Sequence, residues 1–173
     1  MYEILKYKDE VDKSLGVAGM TIALMACDSE NCIATVSLED NEPTLDFAPE
    51  AFFICNPRFS AKIAWNHLMR EFQIYSGMLI GNVMCRHMVT SRNLQQEIFE
   101  ILHELILQQG LEQYSLDEDE LEELFNKDLR YFRRLFSHPG IAEAARNFAN
   151  TLRIQRHMTA GEVFEYLGRL TSF

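Results

Sequence analysis

The sequence predicts an α+β fold: a small N-terminal antiparallel β-sheet packed on a mainly helical body of about five helices. Two early stretches, residues 19–27 and 32–38, are rich in β-branched and small apolar residues. Residues 60–89 keep apolar side chains at helical spacing for about eight turns. From there to the end, helix-start signals recur at Thr90 or Ser91, at Ser115, at Pro139 and at Thr159.

Ile4, Tyr7, Val11 and Leu15 share one side of a helix, and Gly16 is placed to stop it. Residues 19–27 and 32–38 then read as a β-hairpin whose loop is Asp28-Ser29-Glu30-Asn31. Residues 40–49, with Pro43 and Pro49, read as a loop. Residues 51–55, closed by Asn56-Pro57, supply a third strand.

Ser60 is placed to cap the long helix. Trp65, Leu68, Met69, Phe72, Leu79 and Val83 form one apolar stripe, and Ile63, Ile74, Met78, Cys85 and Met88 form another opposite it. A helix apolar on two sides is expected to be covered on two sides. Arg70, Glu71, Gln73, Asn82 and Arg86 fill the narrow strips left for water. Gly77 and Gly81 each cost about 1 kcal/mol relative to alanine. Three readings account for them: a break near Gly77, close packing of another element of the chain, or a backbone left open for a homodimer interface or a ligand.

The next helix runs from Thr90 or Ser91 to Gly110, with Leu94, Ile98, Ile101 and Leu105 inward. Ser115 and Glu118 match a capping box for a helix that turns Leu121, Leu124, Phe125, Phe132, Leu135 and Phe136 inward. His138-Pro139-Gly140 breaks it, and Pro139 starts another helix to about Asn150. Residues 151–158 are the least patterned of this half. Thr159 and Glu162 form a second capping box before Val163, Phe164, Leu167 and Leu170.

With 173 residues the chain is expected to form one domain, 1–173, sheet-rich over 1–57 and helical over 58–173. Its formal charge of −10, offset locally only by Arg130, Arg133 and Arg134, excludes nucleic acid as the expected partner. Those arginines close a helix that begins acidic at Asp117-Glu118-Asp119-Glu120, a layout that the helix dipole favours. Asn82, Arg86 and His87 interrupt the best apolar run, so no membrane span is expected. Met1-Tyr2-Glu3-Ile4-Leu5-Lys6 lacks the layout of a secretory signal. The expectation is a soluble, cytoplasmic protein.

No glycine-rich phosphate loop follows a strand, and no serine has a nucleophile-elbow context. Cys27 and Cys32 flank the expected hairpin loop, where facing ladder positions could pair as a redox switch, but in a reducing cytoplasm they read first as two thiols serving as small hydrophobes. Zinc spacing is absent, and neither a metal nor a cofactor is expected. Glu100 and His103 have the Glu-x-x-His spacing of di-iron helices, but without a second copy they read as a solvated pair. The expected function is non-catalytic, through protein–protein contacts and self-association. The alternative is a small-molecule-binding domain or thiol-dependent enzyme whose pocket, between sheet and helices, holds Cys55, His67, Cys85 and His87.

Overall fold

The computed structural model describes residues 6–49, 60–90 and 96–168. Asp9 opens the first helix by accepting a hydrogen bond from Asp12 N at 2.8 Å, and α1 runs over Glu10–Ala26. Gly16 is therefore interior to a helix, and residues 19–26 are helical where a strand was expected. The reason is burial: nearly every residue from Ser14 to Met25 is inside, against α2 (Ala61–Met88) and α5 (Pro139–Gln155). A helix buried all round carries no stripe, so its periodicity cannot be told from that of a buried strand.

The sheet is built differently from the expected hairpin. After a 3-10 turn at Glu30–Cys32 comes β1 (Ile33–Ser37), which pairs antiparallel with β2 (Leu45–Phe47). Ile33 stands opposite Phe47 and Val36 opposite Leu45. The stretch read as a loop thus supplies a strand, with Pro43 and Pro49 just outside it, where they remove no ladder donor. The other edge of β1 pairs with β3 (His157–Thr159), Val36 facing Met158, for a strand order β2-β1-β3. One strand therefore comes from the unpatterned stretch near the far end of the chain. The strand expected over residues 51–55 lies outside the described residues.

Six α-helices lie among the described residues, and with the small antiparallel sheet they make the α+β fold on a mainly helical body. Ser60 caps α2 by accepting from Ile63 N, and the helix passes Gly77 and Gly81 unbroken. α3 (Gln96–Tyr114) also passes Gly110, where a Cβ would stand 2.2 Å from Leu121 Cδ2. It ends instead at Ser115, whose φ of 52° breaks the helical run. Of the two residues expected to cap α3, Thr90 bonds back to Arg86 O at 2.7 Å, and Ser91, like Leu94, lies outside the described residues.

α4 (Glu118–Phe136) is capped by Asp117, which accepts from Glu120 N at 2.8 Å, two residues after the expected Ser115. Leu121, Phe125, Phe132 and Phe136 are buried from it as expected. His138 caps α5 through Nδ1, with Pro139 at its first position, and the helix reaches Gln155. The Thr159–Glu162 capping box opens α6 (Ala160–Leu167) with both its bonds formed.

Phe72, Phe132, Phe136 and Phe148 are the largest fully buried side chains, among Ile80, Leu102, Ile106 and Leu121. Where α5 ends, Arg156 adopts φ 68°; its carbonyl accepts from Leu38 N at 2.8 Å. Its guanidinium reaches Glu39 at 3.0 Å and Glu10 at 2.5 Å, tying the β3 corner to the start of α1.

Candidate functional site

Of the described residues expected to share a pocket, His67 is set far from Cys85 and His87. His67 and His87 both stand on α2, on the order of 30 Å apart at 1.5 Å of rise per residue. His67 is exposed, His87 half-buried, and Cys85 fully buried inside the helix packing. Burial drives the Cys85 thiol far above the ordinary cysteine range, which makes it a poor nucleophile. Cys55 lies outside the described residues.

Cys27 and Cys32 do not face each other across a ladder, because the hairpin that would have aligned them does not exist. Cys27 caps the end of α1 and Cys32 ends the 3-10 turn, and both are free thiols. Burial, with Asp128 and Asp28 adding to it, pushes the Cys27 thiol up to about 11. No group of three metal-ligating side chains is found among the described residues.

Gly77 and Gly81 are covered from within the chain. A Cβ at Gly77 would meet Phe132 Cζ at 3.2 Å. Gly81 lies against Gly19 of α1 so closely that a Cβ there would stand 2.5 Å from Gly19 O. A Cβ on Gly19 would stand 2.1 Å from Gly81 O. The two helices cross backbone to backbone, which only residues without Cβ allow.

Beside this crossing lies a polar cluster built on Asn82 and Arg86, two residues expected to face water. Arg86 is 5% exposed and Asn82 3%. Arg86 Nη2 and Nε bond the Asp12 carboxylate at 2.6 and 3.0 Å, and Nη2 also donates to Lys6 O at 2.9 Å. Asn82 Nδ2 donates to Tyr7 Oη at 2.9 Å, and the Arg86 guanidinium lies 5.0 Å from the centre of the Tyr7 ring. Burial opposes ionisation of Asp12, but the bonds from Arg86 and Lys8 N outweigh it and hold the carboxyl below its ordinary range. Burial pushes the Tyr7 hydroxyl up. Every charge here has its partner, so the cluster fixes the Lys6–Asp12 segment onto α2 and leaves no group free to react.

A different pair occupies the groove of about 350 Å³ between α3 and α4. His103 Nε2 meets Glu122 Oε2 at 2.5 Å, and the His103 ring packs edge-on against Phe125. The hydrogen bond from His103, aided by one from Asn126 Nδ2, holds the Glu122 carboxyl below its usual range. His103 thus pairs across helices with Glu122, while Glu100 accepts from Gln96 at 3.4 Å. No hydroxyl or thiol is among the described residues lining the groove, so the pair can carry a proton but has no nucleophile to activate.

The surface leaves one helix end uncovered. From Ala61 to Glu71 no residue of α2 is buried, and Ile63 and Trp65 are 42% and 44% exposed. The expected stripe starting at Trp65 is therefore buried only from Phe72 onward. No helix among the described residues is long and apolar enough to cross a membrane. No protein-family model matches this chain, nor does any curated protein or solved structure.

Proposed function

We propose that this is a non-catalytic cytoplasmic protein that works through protein–protein contacts and self-associates through the amino-terminal end of α2. The observation that carries this reading is the exposure of Ile63 and Trp65 there, on three turns where no residue is fully buried and Leu68 and Met69 pack only half-buried against the core. A second copy laid across this end in antiparallel fashion would place each Trp65 on the apolar edge of the other, a self-complementary two-fold arrangement. Supporting it, Cys85 is fully buried and the buried Arg86 is ion-paired with Asp12, so neither is presented at the surface as a reactive group.

Trp65 is the only tryptophan, so its fluorescence reports this patch alone. Native mass spectrometry is expected to give a dimer at micromolar concentration, and the emission is expected to shift to longer wavelength on dilution. Trp65→Ser is expected to yield a folded monomer. A wild-type monomer at hundreds of micromolar, with emission unchanged by dilution, would refute the proposal.

The small-molecule alternative gains no support from Cys85, which is fully buried in the helix packing. A binding role for a surface groove stays compatible with the self-association reading.

A further inference from the structure

We infer that the elbow between α4 and α5 is a binding site for a small phosphate monoester carried on an apolar body. A groove of about 610 Å³ opens there, lined among the described residues by Arg130, Tyr131, Arg134, Leu135, His138 and Ile141. That volume falls in the range of small-molecule sites, roughly 300–1,000 Å³. One wall is cationic and the other is apolar or aromatic.

The cationic wall is what sets this groove apart in a chain of net charge −10. Arg130 and Arg134 stand one helical turn apart, with Cβ atoms about 5–6 Å from each other. Among the described residues neither guanidinium is ion-paired with a carboxylate. Arg130 donates its Nε to Asn126 O at 3.0 Å. Five of the six acidic residues of α4 lie in its first two turns, at the opposite end, and the sixth, Asp128, accepts a hydrogen bond from Ser76 Oγ at 2.9 Å.

The amino end of α5 opens onto the same groove through His138 and Ile141, and its first turn has no acidic residue to offset the positive end of its dipole. His138 Nδ1 accepts from Gly140 N at 3.2 Å, which holds the ring at the rim.

The charge count selects the ligand class. Two permanent guanidinium charges are balanced by one dianion, and a phosphate monoester carries close to two negative charges at neutral pH. Its three free oxygens also use more of the two forks' donors than the two oxygens of a carboxylate. Tyr131, 47% exposed, and Leu135 and Ile141 offer contact to whatever the phosphate is attached to. A ligand that is all anion would leave this wall unused.

The competing explanation is that Arg130 and Arg134 serve only the carboxyl end of α4, where cations offset the dipole. Binding separates the two. Titrate the full chain at low salt with phenyl phosphate, phenol and inorganic phosphate, following backbone amide shifts. Phenyl phosphate is expected to shift the amides of residues 130–141 and to bind at least tenfold more tightly than either fragment, weakening as salt is raised. Arg130→Gln/Arg134→Gln, both at exposed positions, is expected to keep the far-ultraviolet spectrum and lose at least tenfold in phenyl phosphate affinity. The inference is overturned if phenyl phosphate binds no better than phenol, if inorganic phosphate binds as tightly as phenyl phosphate, or if the double variant binds undiminished. A double variant with a lowered melting temperature, in a chain that never bound phenyl phosphate, would assign the arginines to the helix end alone.

Discussion

The two ends of α2 have similar shares of apolar residues and opposite fates. From Ala61 to Glu71 the helix is apolar at helical spacing yet buries no residue. From Phe72 to Arg86 it is enclosed, and Asn82 and Arg86 are as deeply placed as the hydrophobes around them. The difference comes from what lies alongside. The enclosed half has α1 crossing it at Gly19 and α4 reaching it at Gly77, and it has Asp12 and Tyr7 to satisfy its polar groups. An apolar stripe is a capacity for burial; a partner element decides whether it is used.

The strongest test of this contrast is to add one methyl group at the crossing. Gly19→Ala puts a Cβ 2.1 Å from Gly81 O, a backbone atom that cannot swing away. Separating α1 from α2 is expected to cost about 3 kcal/mol or more, as severe overpacking does. Asn66→Ala on the open half is expected to stay within about 0.5 kcal/mol. Equal urea midpoints for the two variants would dissolve the distinction between the halves.

Next in size is Arg86→Met. It leaves the Asp12 carboxylate largely buried without its cation, at an expected cost of about 3 kcal/mol. The pH dependence has a definite sign. The folded Asp12 carboxyl lies below its ordinary range, so its stabilisation is present above that range and is lost as pH falls through the folded value. Wild type is therefore expected to lose stability on acidification faster than Arg86→Met, so the gap between them narrows. A gap constant down to pH 3 would show that the pair adds nothing.

A smaller effect of opposite sign is expected at Asp128. Burial pushes this carboxyl up, although the 2.9 Å bond from Ser76 Oγ opposes the shift. A raised folded value means the group favours the fold below its unfolded range and loses that contribution as pH rises through the folded value. Asp128→Asn is expected to raise the melting temperature at pH 7 and to be nearly neutral at pH 3. A lower melting temperature at pH 7 would mean that the charged form is the better partner of Ser76. A small stability change, within about 1 kcal/mol for the folded monomer, is expected for Trp65→Ser, because that side chain is 44% exposed.

The sequence carried the long helix, both ends of α6's cap, and the inward set of α4, because each rests on local signals within a few residues. It misplaced the residues around the α1–α2 crossing for a physical reason. Gly16 looked like a stop since glycine is common there, but glycine also serves where helices touch, and Gly19 and Gly81 reveal their purpose only together. Arg86 and Asn82 looked like surface since charge usually is; their partners, Asp12 and Tyr7, stand more than seventy positions earlier. β2 and β3 are three residues each and owe their form to β1 between them, so no pattern of their own marks them. The phosphate groove needed two helix ends brought together, although Arg130 and Arg134 were visible from the start as the one local excess of positive charge.

The placement of β3 bears on the order of events as the chain is made. α1 and α2 can dock as soon as the ribosome has released about ninety residues, and the most extensive helix pairing in the fold is theirs. The central strand has to wait with one edge open until residues 157–159 emerge, many seconds later at 5–20 residues per second. Its ladder closes a loop of about 120 residues, the kind of remote pairing that slows folding. During that interval the open edge of β1 is the part of the nascent chain most exposed to pairing with a neighbour. Refolding from denaturant should therefore be biphasic, with helical signal returning first and protection of the Val36 amide arriving in the late phase.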